Sequence, residues 1–332
     1  MTVRATIDEL AAWLKAQDEI VLLGHVSPDG DAAGSCLAIG HALRTLNKRV
    51  AVCLPGGIPR LYASLPGAEK VLETGAKLSF TPKAALAVDV SEHGRLGDAG
   101  AALFDTCANQ AVLDHHPTNV GFGQLFALDG AAAATGELAL ALIEAMGLTL
   151  DRKMAECLFV AISTDCGHFN YSNTRPDTLR AAAQCVEAGA DVADITRRLY
   201  RTRSRGRTQL LGMVLSGLEI SADGRMAWAR LTEAMLAQAG ALPEDNEGIV
   251  NYLLEIEGVV FACLAEQRGT ATKFSLRSIP PLDIAKGVAV PLGGGGHECA
   301  AGCTLNLPME QALQSVLERA RIAMADCGIT AE

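Results

Sequence analysis

The sequence has no apolar run approaching the roughly 18 to 20 residues that a membrane-spanning helix needs, although 49% of its residues are hydrophobic. It has no CxxC pair either. Its ten cysteines are scattered, and Cys36, Cys53, Cys157 and Cys263 sit in apolar surroundings, a pattern of buried free thiols in a reducing compartment rather than of a disulfide framework. Basic residues are not in excess: the formal net charge of -10 excludes a broad basic surface for duplex DNA. It leaves room for a local cation site that inverts the sign near a substrate. No repeat of about 20 to 50 residues is present. No secretory leader is visible, because Thr6 and Glu9 form a capping-box pattern that opens an amphipathic helix, TIDELAAWLKAQ. The expectation is a soluble, cytoplasmic protein with no membrane partner, whose 332 residues suffice for two ordinary domains.

What the sequence does contain is a set of polar residues placed where apolar runs stop. The run Glu19 to Leu23 reads as a strand and is followed by GHVSPDGDAAGS, after which Leu37, Ile39, Leu43 and Leu46 show helical spacing. Pro28 and Gly30 shape a turn from which His25, Asp29 and Asp31 can face one region; the alternative for the two aspartates is helix capping. RVAVCLPG and AALAVDVS read as further strands, the second ending at Asp89, and AVLDHHPTN places Asp114, His115 and His116 at the end of another. Strands of this kind alternating with helices imply a parallel sheet with helices on both faces. Ligands of such sheets bind beyond the carboxyl ends of the strands. Asp165 closes an otherwise apolar helix, DRKMAECLFVAISTDCG, where the helix dipole disfavours it unless a cation is near.

Composition shifts at RRLYRTRSRGR, and the second half restarts with the strand-like runs MAWARLT, GVVFACLAEQ and ATKFSLRS. A helical stretch from 245 to 256 separates the first two. LGGGGHECAAGCTLNL and a helix from Met309 to about Cys327 complete a smaller α+β domain. The expected division is 1–200 for the catalytic domain, 201–220 for a linker and 221–332 for a substrate-binding domain. In KFSLRS, Lys273, Ser275 and Arg277 share one strand face.

Imidazole and carboxylate donors without thiolate indicate first-row divalent ions, manganese foremost, with cobalt, iron or zinc as competitors. With at least six possible ligands, two ions sharing a carboxylate is more economical than one overfilled site. Such ions, roughly 3.5 to 4 Å apart, can hold a bridging hydroxide and stabilise both the attacking and the leaving oxygen at phosphorus.

The pieces HVSPDGDAAGS, VDVS, LDHHPTN and STDCG, in that order, resemble the motifs of the DHH phosphoesterase family, and GGGGHECAAG is similar to the signature of its companion DHHA1 domain. Length, the YSNT segment, and SLRS followed by GGGGH resemble the NrnA-type oligoribonucleases within that family. The resemblance implies an active site in a cleft between the two domains. It implies one metal on His25, Asp29 and Asp89 and a second on Asp31, Asp89, His115 and Asp165. Asp114 would orient His115, and His116 would contact the scissile phosphate and assist the leaving oxygen. Arg277 and His297 would bind a substrate phosphate, with Gly293, Gly294, Gly295 and Gly296 letting backbone amides approach it. Implied substrates are short single-stranded RNA, linear dinucleotides such as pGpG or pApA, and pAp; a homodimer is common in the family. Cyclic di-AMP hydrolysis, pyrophosphate or polyphosphate hydrolysis, and an inactive nucleotide-binding module remain alternatives. The sequence departs from many relatives at Cys166, where they carry threonine, and at Pro280 and Pro281. His41, His93 and His168 fall outside the motifs and are read as structural.

Overall fold

The computed structural model describes residues 2–329. They form two compact units that divide between Thr202 and Arg203. In the first unit, seven strands build one sheet: β1 (Val3–Arg4), β2 (Glu19–Leu23), β3 (Arg49–Leu54), β4 (Leu72–Glu73), β5 (Ala84–Val88), β6 (Asn109–Asp114) and β7 (Leu125–Leu128). Every pairing is parallel and the order is β1-β7-β6-β5-β2-β3-β4. The sheet buries both faces, as an all-parallel sheet must. On β2, Ile20 and Leu22 join one core with helices α1 (Ile7–Lys15) and α2 (Gly30–Thr45). Val21 and Leu23 join the opposite core, against α3 (Gly97–Thr106). The first core also holds α4 (Thr135–Ala145), α5 (Arg152–Asp165) and α6 (Pro176–Glu187). Strand order reverses between β2 and β5, so the loops leaving their carboxyl ends diverge and open a crevice there.

The capping box at the start of α1 is present, with Thr6 and Glu9 bonded reciprocally. Eight of the ten cysteines are buried and all are free thiols. No helix among the described residues is long and apolar enough to cross a membrane.

After a short α7 (Val192–Thr196), the stretch expected as a linker, 201–220, instead holds α8 (Arg205–Ser216). Leu210 and Val214 of this helix are buried in the core of the second unit, which is why it folds as part of that unit rather than as an open connection. The second unit contains a mixed sheet of β8 (Glu219–Ile220), β9 (Met226–Leu231), β10 (Phe261–Arg268), β11 (Ala271–Ser278), β12 (Gly295–His297) and β13 (Ala300–Leu305). Their order is β12-β13-β11-β10-β9-β8, with β9 and β10 parallel and the other pairs antiparallel. The helical stretch expected from 245 to 256 is broken by Gly248 at φ 75°. Only Ile249–Leu254 (α10) is α-helical there. Together with α8 and α9 (Glu233–Ala239) it covers Ala227, Ala229, Ala262 and Leu264. The reverse face, with Phe274 and Leu276, packs against α11 (Met309–Asp326).

Helices α2 and α5 pack closely at Gly34, where a Cβ atom would stand 2.4 Å from the Cys157 carbonyl oxygen. Backbone cannot yield as a side chain can. Gly34→Ala is therefore expected to cost about 1 to 3 kcal/mol, read as a fall of roughly 2 to 10 °C in the melting midpoint; a midpoint within one degree of wild type would contradict this packing.

Candidate metal centre

Four chain segments meet at the carboxyl edge of the first sheet, beside the reversal of strand order. The loop after β2 brings His25 and Asp29, the first turn of α2 brings Asp31, β5 leads to Asp89, β6 to Asp114, His115 and His116, and the end of α5 brings Asp165. Three groups of ligand atoms lie within 4.8 Å of one another and could hold a metal ion: His25, Asp29 and Asp89; Asp31, His115 and Asp165; and Asp89, His115 and His116. Asp89 joins the first group to the third. Its backbone is left-handed at φ 61°, a conformation aspartate tolerates better than most residues and one that concentrates at functional sites.

Each side chain is held before any ion arrives. Asp29 caps α2, accepting from the backbone N–H groups of Asp31 and Ala32 at 3.0 Å each, so capping and ligation are both open to this one carboxylate. Asp31 is buried, yet both of its oxygens are occupied. It accepts from Thr135 N at 2.6 Å, Gly136 N at 2.8 Å and Ser35 Oγ at 3.0 Å. Thr135 and Gly136 open α4, whose own N-cap residue, Ala134, has no side-chain bond to offer. Asp31 supplies that cap from elsewhere in the chain, and the helix dipole favours its charge in return. Thr135 Oγ1 donates to Asp89 at 2.8 Å.

The two histidines nearest the carboxylates are oriented alike. His25 Nδ1 lies 2.8 Å from the Val26 carbonyl oxygen and His115 Nδ1 lies 3.1 Å from that of Ala132. Donation there turns each Nε2 toward the carboxylates as the atom that would give its lone pair to a metal once its proton is displaced. His25 Nε2 faces Asp89 at 3.6 Å and Asp29 at 3.7 Å; His115 Nε2 faces Asp165 at 3.4 Å and Asp89 at 3.7 Å.

Asp114 does not orient His115. Its Oδ1 accepts from His116 Nδ1 at 2.7 Å, and its Oδ2 accepts from Asn119 Nδ2 at 2.7 Å. Alternation along an extended chain explains the correction, since residues two apart share a side and adjacent ones do not. Asp114 is fully buried, whereas the His116 side chain is 40% exposed.

The charges are badly matched without a cation. Burial, followed by the fields of Asp89, Asp165 and Asp29, holds the Asp31 carboxyl well above its ordinary range. Burial also pushes Asp165 up to about 6 despite His115 nearby. Burial opposes a charge on His25, but Asp29 and Asp89 prevail and raise it to about 10. In this cluster of four carboxylates, Asp31 and Asp165 hold protons more tightly when no cation is present and release them to a divalent ion. Their oxygen-rich donor set with two imidazoles fits a hard to borderline metal.

The model of the DHH family N-terminal domain matches residues 19–162, and that of the DHHA1 domain matches residues 227–326. The chain is 36% identical over 323 residues to the bifunctional oligoribonuclease and PAP phosphatase NrnA of Thermus thermophilus, covering 96% of this chain and 94% of that one. The chain belongs to the DHH family. A protein of the same name from Bacillus subtilis is 25% identical over 303 residues, covering 90% and 92% of the two chains. A crystal structure of an exopolyphosphatase-related protein from Bacteroides fragilis superposes with a TM-score of 0.89 at 28% identity, covering 97% of each chain.

The second DHH-chain unit carries the other expected residues. Register puts Arg277 of β11 opposite Ala300 of β13, and Ala300 opposite His297 of β12. The three therefore share one face and one row, with a methyl group between the two cationic-type side chains. In a neighbouring row Ser275 faces Gly302 and Gly302 faces Gly295. The glycine run is not a loose turn. A Cβ at Gly294 would stand 2.1 Å from Gly302 O, and one at Gly296, where φ is 143°, would stand 2.5 Å from Ala300 O. These two glycines are demanded by the β12–β13 hairpin, while Gly295 is open on its Cα face. His41 and His93 have structural partners, Pro66 O at 2.8 Å and Asp105 at 2.9 Å; His168 stacks on Tyr200 with ring centroids 4.6 Å apart.

Sequence reading missed Thr135, Gly136, Asn119 and Ser35. The first two act through backbone or hydroxyl donors at a helix start, and the only available signal was an N-terminus, ATGE, with no capping side chain before it.

The His116–Asp114 pair makes a pH test possible. The Asp114 bond raises the His116 pKa, so that contribution is complete below about pH 6.5 and fades as pH climbs through the raised folded value. Asp114 is buried but is held low by His116 and Asn119, so its contribution is complete above about pH 4 and fades as pH falls further. In metal-free protein, Asp114→Asn should therefore cost more stability at pH 5 to 6 than at pH 9 by denaturant unfolding. An equal cost at both would contradict the pairing.

Proposed function

We propose that this protein is a metal-dependent phosphoesterase that hydrolyses short oligoribonucleotides to 5′-mononucleotides and removes the 3′-phosphate of pAp. The observation that carries this reading is the cluster of four aspartates and two histidines at the sheet's carboxyl edge, with both imidazoles turned Nε2-inward. His25, Asp29 and Asp89 would hold one ion, and Asp31, Asp89, His115 and Asp165 a second, manganese suiting the mixed oxygen and nitrogen donors best. When bound, such ions supply positive charge that lowers the pKa of water and offsets the charge developing at phosphorus.

The protein's own groups do the rest. The Asp114 bond raises the His116 pKa, and in its protonated form His116 has Nε2–H left to donate to a phosphate oxygen or to the departing 3′-oxygen. Thr135 fixes the Asp89 carboxylate, and Asp31 is immobilised by α4. In the second unit Arg277 and His297 flank Ala300, and the small Ala300, Gly302 and Gly295 form a low bed on which the pair would hold a substrate phosphate. The two NrnA relatives carry both activities in their names, which supports the pairing of RNA and pAp. The exopolyphosphatase-related structure favours a second reading, polyphosphate hydrolysis. A polyphosphate chain calls for a lysine-rich cage, however, and the corresponding strand face here presents Lys273 and Arg277 as its fixed cations.

Purified protein incubated with manganese should release mononucleotides from a labelled diribonucleotide and AMP from pAp, and Asp89→Ala should bring both below detection. No release from either substrate would defeat the reading. His297→Ala should raise KM for the diribonucleotide by about tenfold, the scale of one hydrogen bond to a charged group. Hydrolysis of a small non-nucleotide phosphodiester should change far less; equal losses would place His297 in the chemistry instead.

A further inference from the structure

A short segment between β5 and α3 contributes a residue that none of the motifs contains. The Arg95 carbonyl oxygen accepts from Val26 N at 2.7 Å, which fastens this segment to the loop that carries His25. The Arg95 side chain is exposed, and its Nη2 lies 3.2 Å from His25 Nδ1. That ring nitrogen already lies 2.8 Å from Val26 O. It cannot donate to Val26 and accept from Arg95 at once. If His25 presents its Nε2 lone pair to the carboxylates, Nδ1 keeps the proton and Arg95 has no acceptor in that ring.

Nor does Arg95 pair with a carboxylate. Among the described residues no aspartate or glutamate lies within ion-pair distance of it, although Asp29, Asp31, Asp89 and Asp165 are gathered on the other side of the His25 ring. By contrast, Arg175 is engaged by Glu137 at 3.3 Å. Arg95 is thus a fixed positive charge at the rim of the centre, anchored by its own backbone and left without a counter-charge. An exposed guanidinium in that condition suits a bidentate oxyanion, above all a phosphate.

The position selects which phosphate. His25 stands between Arg95 and the carboxylates, so the guanidinium reaches a group beside the reacting centre rather than one over it. Building on the phosphoesterase reading above, we infer that Arg95 binds the non-reacting 5′-phosphate of the substrate, so that the site prefers short RNAs and nucleotides that carry one. Dinucleotides of the form pNpN and the bisphosphate pAp both present such a group.

The test compares pNpN with NpN of the same bases, in manganese, for wild type, Arg95→Ala and Arg95→Lys. Wild type should prefer pNpN. In Arg95→Ala, kcat/KM for pNpN should fall on the order of 10- to 100-fold, the scale of one charge-assisted hydrogen-bonded pair, mostly through KM, while NpN loses no more than about threefold. Arg95→Lys should recover part of the loss, because it keeps the charge without the fork. Equal losses on pNpN and NpN would overturn the inference in favour of an indirect effect through His25, and so would an unchanged preference. Calorimetric binding of pNpN and NpN in calcium asks the same question without turnover: the 5′-phosphate should tighten binding to wild type and not to Arg95→Ala. A wild type inert toward both dinucleotides defeats the phosphoesterase reading alone, and the calorimetric comparison then still decides the role of Arg95.

Discussion

One carboxylate carries much of this structure. Asp31 is buried among other acids, a position that costs several kcal/mol for an unpaired charge, and it remains there because it is the N-terminal cap that α4 lacks. The exchange serves both partners. The helix has its exposed N–H groups satisfied, and the carboxylate gains two backbone donors and the positive end of a dipole. Because Thr135 of the same turn also bonds Asp89, the start of α4 fixes two members of the cluster, while Ala132, just before it, fixes the ring of His115. The stretch from Ala132 to Gly136 is the frame on which much of the centre hangs.

The second unit solves a different problem by subtraction. Its sheet is covered on one face by α11 and, over part of the other, by α8, α9 and α10. Across β11, β13 and β12 that second face is built of Ala, Gly and Ser around Arg277 and His297. Small residues keep that surface low, and the glycines that create it are fixed by the close approach of backbones in the hairpin. A single sequence feature, LGGGGHECAAG, thereby sets both the turn geometry and the shape of the bed.

Much of the parallel fold and the membership of the cluster was legible in the sequence, for a physical reason: an apolar strand that ends in His or Asp announces its own carboxyl end. His25, Asp89 and His115 were readable in this way. The short strands β1, β4 and β7 were not, because two to four partly exposed residues carry no pattern of their own. The docking of α8 into the second unit was hidden by its arginines, which read as a solvated helix and hinge and mask the buried Leu210 and Val214. Thr135 and Gly136 were invisible because a backbone N–H has no letter in the sequence. The partner of Asp114 could have been found: alternation pairs it with His116, and only the resemblance pointed to His115. Arg95 was hidden for the opposite reason, since an arginine in a surface loop looks like every other.

The separation of the ligands along the chain has a consequence for the order of folding. Asp31 meets Thr135 across 104 residues, and Thr135 meets Asp89 across 46. No local segment contains the centre, and closing such loops is paid in chain entropy before any contact rewards it. The cluster comes into being only when β2, β5, β6, α4 and α5 have all docked. It is therefore a late and strict reporter of the finished first unit: an ion that recognises the assembled carboxylates recognises that unit complete and none of its partly folded forms.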